Sequence, residues 1–67
     1  MKITTPNGIL EGDNIEAILE KYGRDCLRDS DLRGFDLRCA NLYGVDLRYA
    51  NLYGVDLRYA NLYGVDL

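Results

Sequence analysis

Leucine stands at positions 27, 32, 37, 42, 47, 52, 57, 62 and 67, an unbroken spacing of five. That period constrains the chain more than any other feature. On an α-helix five residues advance by about 500°, so successive leucines would scatter around the cylinder. On a flat strand five is odd, so alternate leucines would face opposite sides of the sheet. Heptads and leucine-rich repeats have other spacings. Neither a regular helix nor a regular strand buries such a set.

A second register resolves the conflict. Two residues before each leucine of the later units sits an apolar residue: Phe35, Ala40, Val45, Ala50, Val55, Ala60 and Val65, with Ser30 earlier. In extended chain, residues two apart face the same way, so Ala40 and Leu42 point inward and Asn41 outward. The next inward residue is Val45, which leaves Tyr43 and Gly44 as two successive outward residues. The chain must turn a corner there. Each five-residue unit is then one short side and one bend, and repetition winds the chain into a solenoid. Gly34, Gly44, Gly54 and Gly64 suit the bend because a missing Cβ relaxes the backbone. Tyr49 and Tyr59 fall in the same slot, so glycine is favoured there without being obligatory. The reading predicts a core of Leu32, Leu37, Leu42, Leu47, Leu52 and Leu57 with Ala40, Val45, Ala50 and Val55.

The units read SDLRG, FDLRC, ANLYG, VDLRY, ANLYG, VDLRY, ANLYG and a final VDL. This resembles the pentapeptide repeat family, whose consensus is a small residue, Asp or Asn, Leu or Phe, a variable polar residue and often Gly. The resemblance runs from residue 30 to 67, and DCLRD (residues 25–29) looks like a degenerate first unit. It implies an all-β solenoid, a right-handed quadrilateral β-helix of four sides and about twenty residues per coil. Residues twenty apart should then stack at about 4.8 Å. Leu27, Leu47 and Leu67 would share an inward column, while outside Tyr43 would lie over Tyr63, Asn41 over Asn61 and Asp36 over Asp56. Asp and Arg two apart on the outer face should offset the like-charge stacks diagonally.

Residues 1–24 lack the repeat and read as an N-terminal cap on a repeat region of residues 25–67. KITTPNGIL suggests two β segments around Pro6-Asn7-Gly8. DNIEAILEKYG suggests a helix with Asp13 as N-cap and Glu16 completing a capping box. Ile15, Ile18, Leu19 and Tyr22 form one apolar stripe, and Gly23 can end the helix in a left-handed turn. Laid over the first coil, such a segment would hide apolar side chains and strand edges that otherwise invite association.

Composition excludes several functions. The chain holds no histidine and two cysteines, Cys26 and Cys39, so it offers neither a zinc site nor a disulfide framework. No catalytic constellation or phosphate-cradling loop is visible, so the expectation is no enzyme and no cofactor. The net charge of −3 lacks the basic patch that nucleic acid requires. Without an apolar membrane span or a secretory leader, the expected location is the cytoplasm. Copies repeated to the letter point to an engineered or consensus repeat, with recent natural duplication as the other route.

The remaining expectation is a structural scaffold whose partner is itself. The last copy stops at Leu67 on an inward position, so Leu57, Leu62, Val65 and Leu67 should form an open apolar face. Two copies could hide these faces against each other about a two-fold axis, making a homodimer. Two other readings stand beside it: a natural structural spacer, or a DNA-mimicking binder of type II topoisomerase (gyrase), as resemblance to quinolone-resistance pentapeptide proteins allows.

Overall fold

A computed structural model describes all 67 residues, Met1–Leu67. It begins with an antiparallel hairpin of strands β1 (Lys2–Thr5) and β2 (Gly8–Glu11), paired Lys2 to Glu11 through Thr5 to Gly8. Pro6 and Asn7 make the two-residue connection. The Thr5 hydroxyl donates to the Gly8 carbonyl at 2.8 Å and accepts from the Asn7 N–H, which fastens the bend. Helix α1 (Ile15–Tyr22) follows.

The N-cap of α1 is Asn14, not Asp13: its side chain accepts a hydrogen bond from the Ala17 N–H at 2.8 Å. Both residue types cap well, and burial decides between them. A helix started at Ile15 puts Ile15, Ile18 and Leu19 into the core. Glu16 is thereby displaced from any capping box and is free to reach the repeat region. Gly23 ends the helix at φ 97°, ψ 169°, a positive φ with extended ψ, while its N–H donates to the Leu19 carbonyl at 2.9 Å. Tyr22, the fourth stripe residue, stays exposed at its edge and takes the Glu11 N–H on its hydroxyl.

Downstream of the helix no extended strand forms. The repeat region contains turns and isolated parallel bridges, Asp31 with Asn51, Asp36 with Asp56, Asn41 with Asn61 and Asp46 with Asp66. Each bridge joins residues twenty apart, so the chain returns upon itself every four units. The two-stranded hairpin is the sole regular sheet, which narrows the all-β expectation: each unit spends most of its residues on its bend and keeps one paired residue per side.

The bend is the same in every unit. The amide three residues beyond each leucine closes it: Val45 N–H donates to the Leu42 carbonyl at 3.0 Å, Ala50 to Leu47 at 3.0 Å, and Val55 to Leu52 at 3.1 Å. The third residue of each turn has a left-handed φ, as in a type II turn. Gly34, Gly44, Gly54 and Gly64 occupy that place at φ 68–73°, and Asp29, Cys39, Tyr49 and Tyr59 occupy it at 60–64°. Glycine adopts this conformation freely; a residue with a Cβ is strained there by about 1–2 kcal/mol. Of the non-glycine positions, Asp29 and Cys39 are tied to the neighbouring coil through their own N–H groups, while those of Tyr49 and Tyr59 have no backbone partner. The Cys39 N–H donates to the Arg58 carbonyl at 3.0 Å, as the Gly44 N–H does to Tyr63 at 2.9 Å.

The core is continuous between the N-terminal segment and the coil: Ile3, Ile15, Ile18 and Leu19 join Leu27, Leu32, Leu37, Ala40, Leu42, Val45 and Leu47 in one buried cluster. Ser30 takes the place of an apolar residue in this interior, and its hydroxyl donates to the Leu27 carbonyl at 2.6 Å. No buried side-chain polar atom lacks a partner. Among the residues predicted as core, Ala50, Leu52, Val55 and Leu57 are only partly buried and pack against this cluster from outside. They belong to the second coil, whose far side meets nothing within the chain.

Candidate interaction surface

The outer surface carries a ladder of ion pairs built from single units. In Asp-Leu-Arg the leucine points inward, so the carboxylate and guanidinium two residues apart share the outer side. Arg38 donates from Nε and Nη2 to the two oxygens of Asp36 at 2.9 and 2.7 Å. Arg33 on Asp31, Arg48 on Asp46 and Arg58 on Asp56 repeat this fork. Bonds from the Arg38 side chain and then its backbone N–H hold Asp36 down to about 2. The same donors from Arg48 hold Asp46 down to about 2, and Asp31 and Asp56 are lowered for the same reason. The expected diagonal contacts also occur, Arg38 to Asp56 at 3.8 Å and Arg48 to Asp66 at 3.3 Å, but they are secondary to the pair within each unit.

The Asp or Asn before each leucine has a further role that the sequence reading did not assign. Its Oδ1 accepts the N–H two residues on: Asn41 from Tyr43 at 3.2 Å, Asp46 from Arg48 at 2.9 Å, Asn51 from Tyr53 at 3.1 Å. That amide faces outward on the bend and has no backbone partner, so the short polar side chain satisfies it locally. The signal was present in the sequence, since this slot from residue 31 onward holds only Asp or Asn.

The N-terminal segment meets the first coil on three of its four sides. The Asp31 N–H donates to the Thr4 carbonyl at 2.9 Å and the Asp46 N–H to the Arg24 carbonyl at 2.9 Å. On the third side the Asn41 N–H donates to the Glu16 carboxylate at 3.0 Å, a side-chain oxygen standing in for a strand carbonyl. The Asp36 N–H has no protein acceptor and faces solvent.

At the other end the apolar residues lie open. Leu62 is 42% exposed and Leu67 78%, with Val65 half-buried beside them and Leu57 partly covered. These four are the residues the sequence assigned to an interface, and they share one coil with Leu52. The backbone there is open too: no protein acceptor meets the N–H groups of Leu52, Leu57 and Leu62. By contrast the corresponding Leu32, Leu37 and Leu42 donate across to the second coil at 2.8–3.0 Å.

The chemistry of the remaining surface is limited. Nowhere do three His, Cys, Asp or Glu side chains gather as a metal site. Cys39 is exposed and Cys26 half-buried, both as free thiols; burial, and then the Asp25 charge, push the Cys26 thiol up. No helix is long and apolar enough to cross a membrane.

A family model of pentapeptide repeats matches residues 26–62 in 8 copies. The chain belongs to the pentapeptide repeat family. Membership accounts for the shared geometry of the units, since from residue 31 onward Asp or Asn precedes each leucine, Leu32, Leu37, Leu42 and Leu47 are buried, and each bend carries a left-handed residue. No curated protein and no solved structure matches this pentapeptide repeat chain significantly.

Proposed function

We propose that this chain is a non-enzymatic structural module, a right-handed quadrilateral β-helix covered at its N-terminal side, that pairs with a second copy through the face of its last coil. The observation that carries the reading is the exposure of Leu62 and Leu67 beside unpartnered backbone amides, while the equivalent Leu42 and Leu47 one coil earlier are buried. Exposed apolar surface next to an open strand edge is the combination that drives association. The N-terminal segment occupies most of the opposite edge, which disfavours head-to-tail growth and favours closure at two. Repeats identical to the letter support an engineered or consensus origin for such a scaffold.

The ion-pair ladder weighs against the topoisomerase reading. A protein surface imitating DNA needs unneutralised negative charge at regular intervals, whereas Asp31, Asp36, Asp46 and Asp56 are each forked to an arginine of their own unit.

Light scattering over a dilution series tests the pairing. The reading expects a mass of twice 7.6 kDa at high micromolar concentration, and Leu62→Lys should return it to the monomer value. A monomer at all concentrations would contradict it, and masses that rise steadily past two would contradict closure.

A further inference from the structure

The hairpin extends one side of the solenoid by a further strand. The Thr4 carbonyl accepts the Asp31 N–H at 2.9 Å, and Asp31 is bridged in turn to Asn51, so Thr4, Asp31 and Asn51 follow one another across the strands. This row, with Pro6 of the hairpin turn and the bend residues Asp29 and Tyr49, lines an open groove of about 530 Å³. Asp29 and Tyr49 hold the same bend slot one coil apart, at φ 63° and 64°. The Asp29 N–H donates to the Arg48 carbonyl at 3.0 Å, which keeps the two bends in register. Tyr49 is 78% exposed, so its ring is presented to the groove instead of being packed away.

The charges along this groove are not matched. Two carboxylates, Asp29 and Asp31, face one guanidinium, Arg33. Arg33 is committed to Asp31, from Nε at 2.8 Å and from Nη2 at 2.7 Å. Asp29 enters no ion pair. The repeat explains this difference: each forked acid has an arginine two residues on, whereas Asp29 stands in a bend slot and has Asp31 there. One negative charge is left over, beside an exposed aromatic ring. The Thr4 hydroxyl adds a neutral acceptor. The Asn51 Oδ1, which takes the Tyr53 N–H at 3.1 Å, keeps a second lone pair.

We infer that this groove binds an alkylammonium group, the head of a free primary amine or of a lysine side chain. An ammonium brings one positive charge, three donors and no acceptor, which answers a lone carboxylate among neutral oxygens. The Tyr49 ring selects an organic cation, because an ammonium is drawn to an aromatic face and its methylenes cover apolar surface. A hard metal ion gains nothing from the ring and needs several oxygen ligands; no three acids gather here. An anion would meet Asp29 with the one arginine already engaged. The site uses residues of the hairpin and of the outer side chains only, and is independent of the pairing proposed above.

A nuclear magnetic resonance titration of the isotope-labelled 67-residue chain with propylammonium chloride, at constant ionic strength, tests the site. The amides of Asp29, Tyr49 and Asn51 should shift along saturating curves with a dissociation constant in the millimolar range, and propanol should shift none of them. Absence of saturation, or the same shifts with calcium chloride, would overturn the inference. Asp29→Asn keeps a residue that tolerates the left-handed bend and should weaken binding by about tenfold. Tyr49→Gly gives this bend the residue found at Gly44 and Gly54 and should weaken binding by about threefold. Parent affinity in the Asp29 variant would overturn the site, and parent affinity in the Tyr49 variant would overturn the role of the ring. A parallel titration with N-acetyl-lysine amide separates the two sources. Tighter binding than propylammonium supports a protein lysine as the ligand, and weaker binding supports a free amine.

Discussion

The ring of Tyr43 lies flat against that of Tyr63, centroids 5.6 Å apart and planes within 11°, although twenty residues separate them in the chain. Their neighbours repeat the relation: the Asn61 amide donates to the Asn41 Oδ1 at 3.4 Å, and the backbones of the two asparagines are bridged in parallel. A coil of four five-residue units places both pairs, and the same winding sets which substitutions the chain can bear.

Leu47 is 2% exposed and Tyr53 82%. Leu47→Asp puts an unpaired carboxylate among buried leucines and should unfold the coil. Tyr53→Asp should cost no more than about 1 kcal/mol. Thermal melts followed by circular dichroism compare the two; equal midpoints would remove the inward and outward assignment.

Gly44 has φ +68°, and an added Cβ would meet nothing within 4 Å. Any loss in Gly44→Val must then come from the backbone. It should amount to roughly 1–2 kcal/mol in urea unfolding, and Gly44→Asn should lose less, since Asn tolerates the left-handed region. A Val variant as stable as the parent would show that the bend relaxes without strain.

Acid should act through the Asp–Arg forks. Asp36 and Asp46 are held down to about 2 by their arginines, against an ordinary carboxylate value of 3.8. A depressed folded value means that the stabilisation is complete above about pH 4 and is lost as pH falls through about 2. Thermal midpoints should therefore hold from pH 7 to about 5 and decline below about 4. Asp36→Asn, Asp46→Asn should flatten that decline, because asparagine keeps the turn acceptor and has no charge to lose. A double variant with the parent's full acid slope would assign the decline to other groups.

Removing residues 1–24 takes away the Thr4, Glu16 and Arg24 acceptors together with Ile3, Ile15, Ile18 and Leu19 of the core. The truncated chain should aggregate or elute from a sizing column as longer stacks. Elution as a folded species of the parent's association state would show that this edge needs no cover.

Much of this was legible because burial follows residue type along the repeat. Leu at every fifth place and a small residue two before it name the inward set, and the resemblance of the units gives the twenty-residue return that stacks Tyr43 on Tyr63. What stayed hidden depends on contacts between distant residues. The period puts Tyr49 and Tyr59 in the bend slot of Gly44, but that they take its positive φ against the steric preference of a Cβ shows only in the fold. Glu16 looks like a capping-box residue until the fold brings Asn41 to it, and Asn14 takes the cap because the core selects the helix start. The partial burial of Leu52 and Leu57 follows from their place in the outer coil, which their type does not distinguish from Leu32 and Leu37.

The twenty-residue winding itself is tested most directly by scalar couplings across hydrogen bonds in an isotope-labelled sample. The account predicts couplings from the amide nitrogens of Leu37 and Leu42 to the carbonyl carbons of Asp56 and Asn61, matching bonds of 2.8 and 3.0 Å. Couplings from those leucines to carbonyls at any other separation in sequence would contradict it.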